Sequence, residues 1–179
     1  IEDVCGSLKT ISYCTRRVKA VLQYGAVAQF DTKEETITGD LFQYISEYVE
    51  KILIHYENIK IQVSIDNNER CFKKFSTQDI AMLLENIVSN SVKHNASILN
   101  IHMYKVENQY TIDFIDNGDG LTGNISNLEE LFEFGKGYTS SGTGVGLYHV
   151  REIIQEMGGQ VSINGNIKNG FQLQVRYKK

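Results

Sequence analysis

The amino-acid sequence predicts an α+β fold, a two-layer sandwich in which helices cover one face of a mixed sheet. Two observations predict it. Segments of helical period and segments of period two succeed one another as helix, strand, helix, strands, helix, strands, loop, helix, strands. No proline, internal repeat or low-complexity tract interrupts that succession. The chain has 179 residues, 41% of them hydrophobic, which suits one ordinary domain with a real core.

Taken in order, the segment 3–30 carries Val4, Leu8, Ile11, Val18 and Leu22 at alternating spacings of three and four, with Thr15 and Gly25 in the same row. Cys14 and Val21 widen the stripe, and Arg16, Arg17 and Lys19 mark a wet side. Such a seam suits a helix packed lengthwise on other helices, and a surface helix on its own domain fits about equally well. Polar residues 31–35 read as a linker, leaving 36–179 as the main domain. Thr36–Thr38 is a short strand. Asp40 can cap a helix whose apolar positions are Leu41, Ile45, Tyr48, Val49, Ile52 and Leu53. Ile59–Ile65 alternates with period two and reads as a half-buried strand. Asn67-Asn68 is a turn, and Cys71–Phe75 is another strand. Ser76 or Thr77 then caps a long helix through about His94. Ile98–Val106 and Tyr110–Ile115 form a hairpin across Glu107-Asn108. A glycine-rich stretch of no regular period runs from Asn117 to Gly146. Val145–Met157 is a helix ended by Gly158-Gly159, and Gln160–Ile163 with Phe171–Tyr177 is a closing hairpin around Asn164-Gly165.

Composition narrows the function classes. A net charge of -4 and a pI near 5.6 give no electrostatic reason to expect a nucleic-acid partner. His55, His94, His102 and His149 are scattered, and Cys5, Cys14 and Cys71 form no C-x-x-C pair, as expected of reduced thiols in a cytoplasmic domain. No apolar run approaches the ~18 residues that a membrane span needs. The opening IEDVCGSLKT is not a signal peptide and has no initiating Met, so a fragment is expected, with room upstream for a sensor or membrane anchor.

Three pieces of the sequence carry chemistry. The first is the helix 80–94. At about 100° per residue, Ile80, Leu83, Leu84, Ile87, Val88 and Ser91 share one side, while Asn86, Asn90 and Lys93 cluster opposite. Alone, that polar stripe also fits a solvated face. Asn is a poor helix former, however, and its amide oxygen is a hard neutral ligand for Mg²⁺, with Lys93 a point charge suited to phosphate. The second is Asp116-Asn-Gly118-Asp-Gly120 after an apolar strand. It fits a plain β-turn, or a strand-end carboxylate accepting from an exocyclic amine beside backbone thinned by glycine. The third is Gly142-Thr-Gly144-Val-Gly146-Leu at a helix start, where free N–H groups favour anions. A lone G-x-G-x-G also fits a flexible loop, and neither the dinucleotide fingerprint nor the Gly-Lys-Ser/Thr phosphate loop is complete here.

In this order and with these separations, the three pieces resemble the GHKL superfamily, and within it the catalytic and ATP-binding domain of sensor histidine kinases, over roughly residues 36 to 178. Glu85–His94 is similar to that family's N-box, Asp116–Gly120 to its first glycine box, Leu131–Gly135 to a short phenylalanine box and Gly142–Leu147 to its second glycine box. The resemblance implies the Bergerat-type sandwich and the cofactors ATP and Mg²⁺. It implies Asn90 as metal ligand, Asn86 near metal or γ-phosphate, Lys93 on phosphate and Asp116 on the adenine amine. Gly118 and Gly120 would shape the base pocket. Gly142, Thr143, Gly144, Val145, Gly146 and Leu147 would line the phosphates, with Lys136 in the same set. Phe132, Phe134 and Tyr138 read as core or loop anchors. Two departures stand out: His94 replaces an aromatic Tyr or Phe, and the phenylalanine box is compressed.

Position 86 discriminates within the superfamily. Its true ATPases place a Glu there to polarise water, whereas an amide cannot act as a general base near neutral pH. Asn86 therefore favours phosphotransfer to histidine over hydrolysis, and Glu85 points roughly 100° away on the helix. None of the four His is followed by the acid expected at a phosphoacceptor site. The acceptor is expected upstream, with 1–30 the end of a dimerisation and phosphoacceptor hairpin, homodimerisation through it, and a response regulator as partner of the whole kinase. The alternative is a nucleotide-gated binding module, a degenerate kinase without phosphotransfer.

Overall fold

The computed structural model describes residues 36–56, 58–121, 127–135, 144–164 and 170–179. The predicted N-terminal helix and linker lie outside the described residues, as do Lys136, Tyr138, Gly142, Thr143 and the tip of the closing hairpin. The elements are β1 (Thr36–Asp40), α1 (Leu41–Lys51), β2 (Lys60–Ile65), β3 (Phe72–Ser76), α2 (Thr77–Lys93), β4 (Ile98–Val106), β5 (Gln109–Asp116), α3 (Gly146–Glu156), β6 (Gly159–Ile163) and β7 (Gln172–Lys178). Short 3₁₀ turns occupy Leu53–His55, Asp66–Asn68 and Leu128–Phe132.

Five strands form one mixed sheet in the order β2-β4-β5-β7-β6, parallel only between β2 and β4. The single sheet expected from sequence needs one correction: β1 and β3 leave it and pair antiparallel with each other, Thr36 opposite Ser76. Asp40 holds this small ribbon to the helix it starts. Its Oδ1 accepts from Phe42 N at 3.2 Å, capping α1, and from Cys71 N at 3.0 Å at the head of β3. A carboxylate that satisfies an orphan helical donor and a neighbouring strand at once fixes the angle between them.

The strands alternate as their sequences require. Ile112, Phe114 and Asp116 of β5 face the helices beside Met103, Ile101 and Leu99 of β4, with Val175 and Leu173 of β7 completing the layer. On the other face of β5, Asp113 is buried among polar neighbours and accepts from Tyr104 Oη at 2.9 Å and Gln174 Nε2 at 2.8 Å. Burial and this carboxylate together hold the Tyr104 phenol above its ordinary range. Against the inner face, α2 lays down Ile80, Leu83, Leu84, Ile87, Val88 and Ser91, the side that helical periodicity assigns to the core. Val150, Ile153 and Ile154 of α3 continue the layer, and α1 contributes Leu41, Phe42, Ile45, Tyr48 and Val49. Cys71 is enclosed in this core, and burial pushes its thiol up to about 12, so it is an inert thiol.

The helices differ in how their N-termini are capped. Asp40 caps α1, and Ser76 caps α2 by accepting from Asp79 N at 3.2 Å. The N-cap of α3, Val145, makes no side-chain cap bond, and its first turn holds no acidic residue. Its C-terminus closes through Gly158 at φ +72°, as the Gly158-Gly159 pair predicts. Sequence periodicity does not reveal the 3₁₀ turn Leu128–Phe132, which Asn127 caps and which buries Leu131 and Phe132.

Candidate functional site

The polar stripe of α2 is only partly a solvated face. Asn86 and Asn90 are half-buried, and both point at the start of α3. A Cβ built on Gly146 would lie 3.5 Å from Asn86 Oδ1 and 3.5 Å from Asn90 Nδ2. Two amides one helical turn apart therefore flank the one α-helical N-terminus of the described residues that no side chain caps. Lys93, the last residue of α2, is exposed beyond them. His94 is the C-cap, half-buried, and its carbonyl accepts from Asp119 N at 2.8 Å.

Asp116 ends the inward row of β5, where an apolar side chain would be expected from the alternation Ile112, Phe114. It is only 7% exposed, yet both of its oxygens are hydrogen-bonded. Its Oδ1 accepts from Gly118 N at 3.0 Å and Phe171 N at 3.1 Å, and its Oδ2 accepts from Ser91 Oγ at 2.9 Å. An ionised carboxyl tolerates burial when several donors meet it. Ser91 sits one residue after Asn90, so a single rigid helix ties the strand-end carboxylate to the paired amides.

The glycine loop after β5 is built on the end of α2. Asn117 Oδ1 accepts from Ser97 N at 2.9 Å and Ile98 N at 2.8 Å, and Asn95 Nδ2 donates to Asp119 Oδ2 at 2.6 Å. A Cβ on Gly118 would stand 2.4 Å from the His94 carbonyl oxygen, so that glycine has a cause inside the fold, namely close approach of two backbone segments. Gly120, at φ +71°, lies against Gly170 in the same manner.

The phenylalanine-box segment packs on α3. Phe132 is buried beneath the Arg151 guanidinium at 4.9 Å, and Arg151 also pairs with Glu129. Phe134 is 54% exposed and meets the Tyr148 ring edge-on with centroids 5.2 Å apart, so it anchors the loop from outside the core. Gly135 N donates to Gly144 O at 3.0 Å, which joins the two ends of the 136–143 segment. Val145 is buried and Leu147 packs against the core, so their side chains serve packing.

The family described as "Histidine kinase-, DNA gyrase B-, and HSP90-like ATPase" matches residues 75–179, more than half of the chain. The chain belongs to this family. Histidine protein kinase SaeS of Staphylococcus aureus (strain USA300) is 27% identical over 135 residues, which span 70% of this chain and 38% of SaeS. The chain thus spans well under half the length of the curated relatives it matches. Among solved structures, mycobacterial sensor histidine kinase MprB superposes with a TM-score of 0.64 at 14% identity, over 80% of this chain and 97% of that one. The catalytic domain of histidine kinase ThkA gives 0.64 at 24% identity, over 81% and 96%. The fold is that of the histidine kinase catalytic domains, an α+β sandwich with a mixed five-stranded sheet.

In this ATPase-family domain, Glu85 has one of its two carboxylate oxygens hydrogen-bonded, while Oε1 is buried without a partner among the described residues. Its Oε2 accepts from Tyr56 Oη at 2.7 Å, beside Tyr48, whose phenol is raised by burial first and by the Glu85 charge second. The carboxylate is therefore turned toward the α1 side of α2, away from the Asn86–Asn90 stripe. Among the described residues no group of three or more His, Cys, Asp or Glu comes together to hold a metal ion. Sequence reasoning missed Ser91, Gly170 and Phe171. A signal existed for Ser91, since a serine closing an apolar helical row needs a buried partner. None existed for Phe171, which acts through its backbone N–H. No helix of the described residues is long and apolar enough to cross a membrane.

Proposed function

We propose that this domain binds Mg-ATP and presents the γ-phosphate to a histidine outside residues 36–179, as the catalytic domain of a cytoplasmic sensor-kinase module. One observation carries the proposal: two α2 amides meet the uncapped start of α3, while the neighbouring carboxylate, Glu85, is engaged by Tyr56. The site is thus supplied with hydrogen-bond donors for phosphate, and among the described residues Glu85, the carboxylate next to Asn86, is turned away from it. The carboxylate of Asp116 receives the adenine amine on Oδ2. Backbone N–H groups at Gly144, Val145, Gly146 and Leu147 face the phosphates, with Gly142 and Thr143 preceding them and Lys93 and Lys136 adding positive charge. Asn90, supported by Asn86, would hold Mg²⁺ through amide oxygen, and the two amides at the mouth of α3 fit that use. The metal, when bound, neutralises phosphate charge and orders the triphosphate. What the protein contributes is position and electrostatics, since a neutral imidazole acceptor already carries its lone pair. His94, as C-cap, holds the end of α2 against the base loop. The complex in the AMPPNP-bound ShkA structure concerns that protein, and it supports a nucleotide as the ligand class here. A homodimer formed upstream and a response regulator as the next phosphate acceptor complete the proposal.

Two tests follow from it. Asn90→Ala is expected to weaken ATP binding about tenfold with Mg²⁺ present and little in EDTA, read by calorimetry. Equal loss in both conditions would remove Asn90 as a ligand. Incubated with γ-labelled ATP, the isolated chain is expected to take no label, whereas an added phosphoacceptor hairpin of a related kinase should acquire it. Label on the chain itself contradicts the upstream acceptor, and tight ATP binding without any transfer favours a binding-only module.

A further inference from the structure

We propose that Ser91 is a positioning residue for base recognition, which holds the Asp116 carboxylate so that one acceptor site on Oδ2 stays open toward a purine amine. The proposal rests on the nucleotide-binding function given above. An ionised carboxylate offers about four lone-pair sites. In Asp116, Oδ1 spends both of its sites on the backbone N–H groups of Gly118 and Phe171. Oδ2 takes the Ser91 hydroxyl, which leaves a single site. One open acceptor matches one exocyclic N–H, and it opposes a carbonyl placed at the same spot.

The three donors come from three different parts of the fold: α2, the glycine loop and the residue that precedes β7. The two backbone donors converge on Oδ1 and leave Oδ2 to a side chain. Only that side-chain donor is open to change without moving the main chain. Ser91 is 2% exposed and occupies the last place of the buried row Ile80, Leu83, Leu84, Ile87, Val88. A hydroxyl there is costly unless bonded, and Asp116 supplies the bond. Because α2 also carries Asn86 and Asn90, this contact sets the distance between the base-reading end and the phosphate end of one ligand. A shift at Ser91 would therefore appear as lost discrimination at the base, with phosphate contacts kept.

The experiment compares the whole 179-residue chain with Ser91→Ala and the near-isosteric Ser91→Cys, whose thiol is a weaker donor. Dissociation constants are measured for ATP and for purine riboside triphosphate, which lacks the amine, together with melting curves. The expected result is an ATP-over-purine preference that falls roughly tenfold in Ser91→Ala and by an intermediate factor in Ser91→Cys, with purine binding unchanged. Equal weakening of both nucleotides marks Ser91 as merely structural and overturns the proposal, as does an unchanged preference in both variants. If Ser91→Ala does not fold, Ser91→Cys decides alone by the same ratio. Wild-type protein that binds both nucleotides equally would instead sink the base-reading role of Asp116, and Ser91 with it.

Discussion

Replacing Asp116 by Asn is expected to lower ATP affinity by roughly 100-fold while the melting temperature moves by only a few degrees. The small effect on folding follows from the donors around the side chain. The Asn oxygen can still accept from Gly118 N and Phe171 N, and its amide can donate to the Ser91 hydroxyl, which rotates to become the acceptor. The large effect on binding follows from the remaining position. Where the carboxylate offers an acceptor to the purine amine, the amide offers a second N–H, so a charge-assisted bond is replaced by two opposed donors. Calorimetry with a parallel melt checks it. Unchanged affinity with a native-like melt would remove the base-reading role.

Among the glycines of the described residues, Gly170→Ala is expected to be the most damaging, costing about 3 to 5 kcal/mol and lowering Tm by about 10 °C or more. Gly170 has φ +93°, where L side chains are strained, and a Cβ would fall against the Asp116 carbonyl oxygen. Neither segment can retreat easily. Asp116 N donates to Phe171 O at 3.0 Å, and Phe171 N donates to the Asp116 carboxylate, so separating the backbones breaks both bonds. The loss should extend to nucleotide binding, because the same shift turns the carboxylate. Gly39→Ala is the control: nothing lies within 4 Å of its Cβ position, and it should be nearly silent in thermal denaturation. Comparable stability of the two variants would show that the β5–β7 junction tolerates separation.

Local pattern carried much of this fold. The inner face of α2 is the row its 3.6 period dictates, down to Ser91, and the caps Asp40 and Ser76 are residues whose short side chains favour that place. The alternation in β4 and β5 and the two-residue turn at Glu107-Asn108 were legible for the same reason. What escaped was non-local. Pairing of β1 with β3 rather than with the main sheet depends on Asp40 reaching Cys71, thirty-one residues away. The Leu128–Phe132 turn is too short for any period to reveal. At the site, the candidate residues Asn86, Asn90 and Gly146 were visible as types at a spacing, and the fold brings them together. Their connection through Ser91 to Asp116 is a tertiary hydrogen bond, which no single segment encodes.

The placement of β7 sets the order in which this domain can become competent during synthesis. Strand β7 follows β6 in the sequence yet inserts between β5 and β6, so β5 lacks that neighbour until residues 170–179 have been made. The same insertion delivers the Phe171 amide to Asp116. A nascent chain can therefore assemble all three helices over a partial sheet while Asp116 still lacks its Phe171 donor. On the function proposed above, full affinity for nucleotide would follow the insertion of β7.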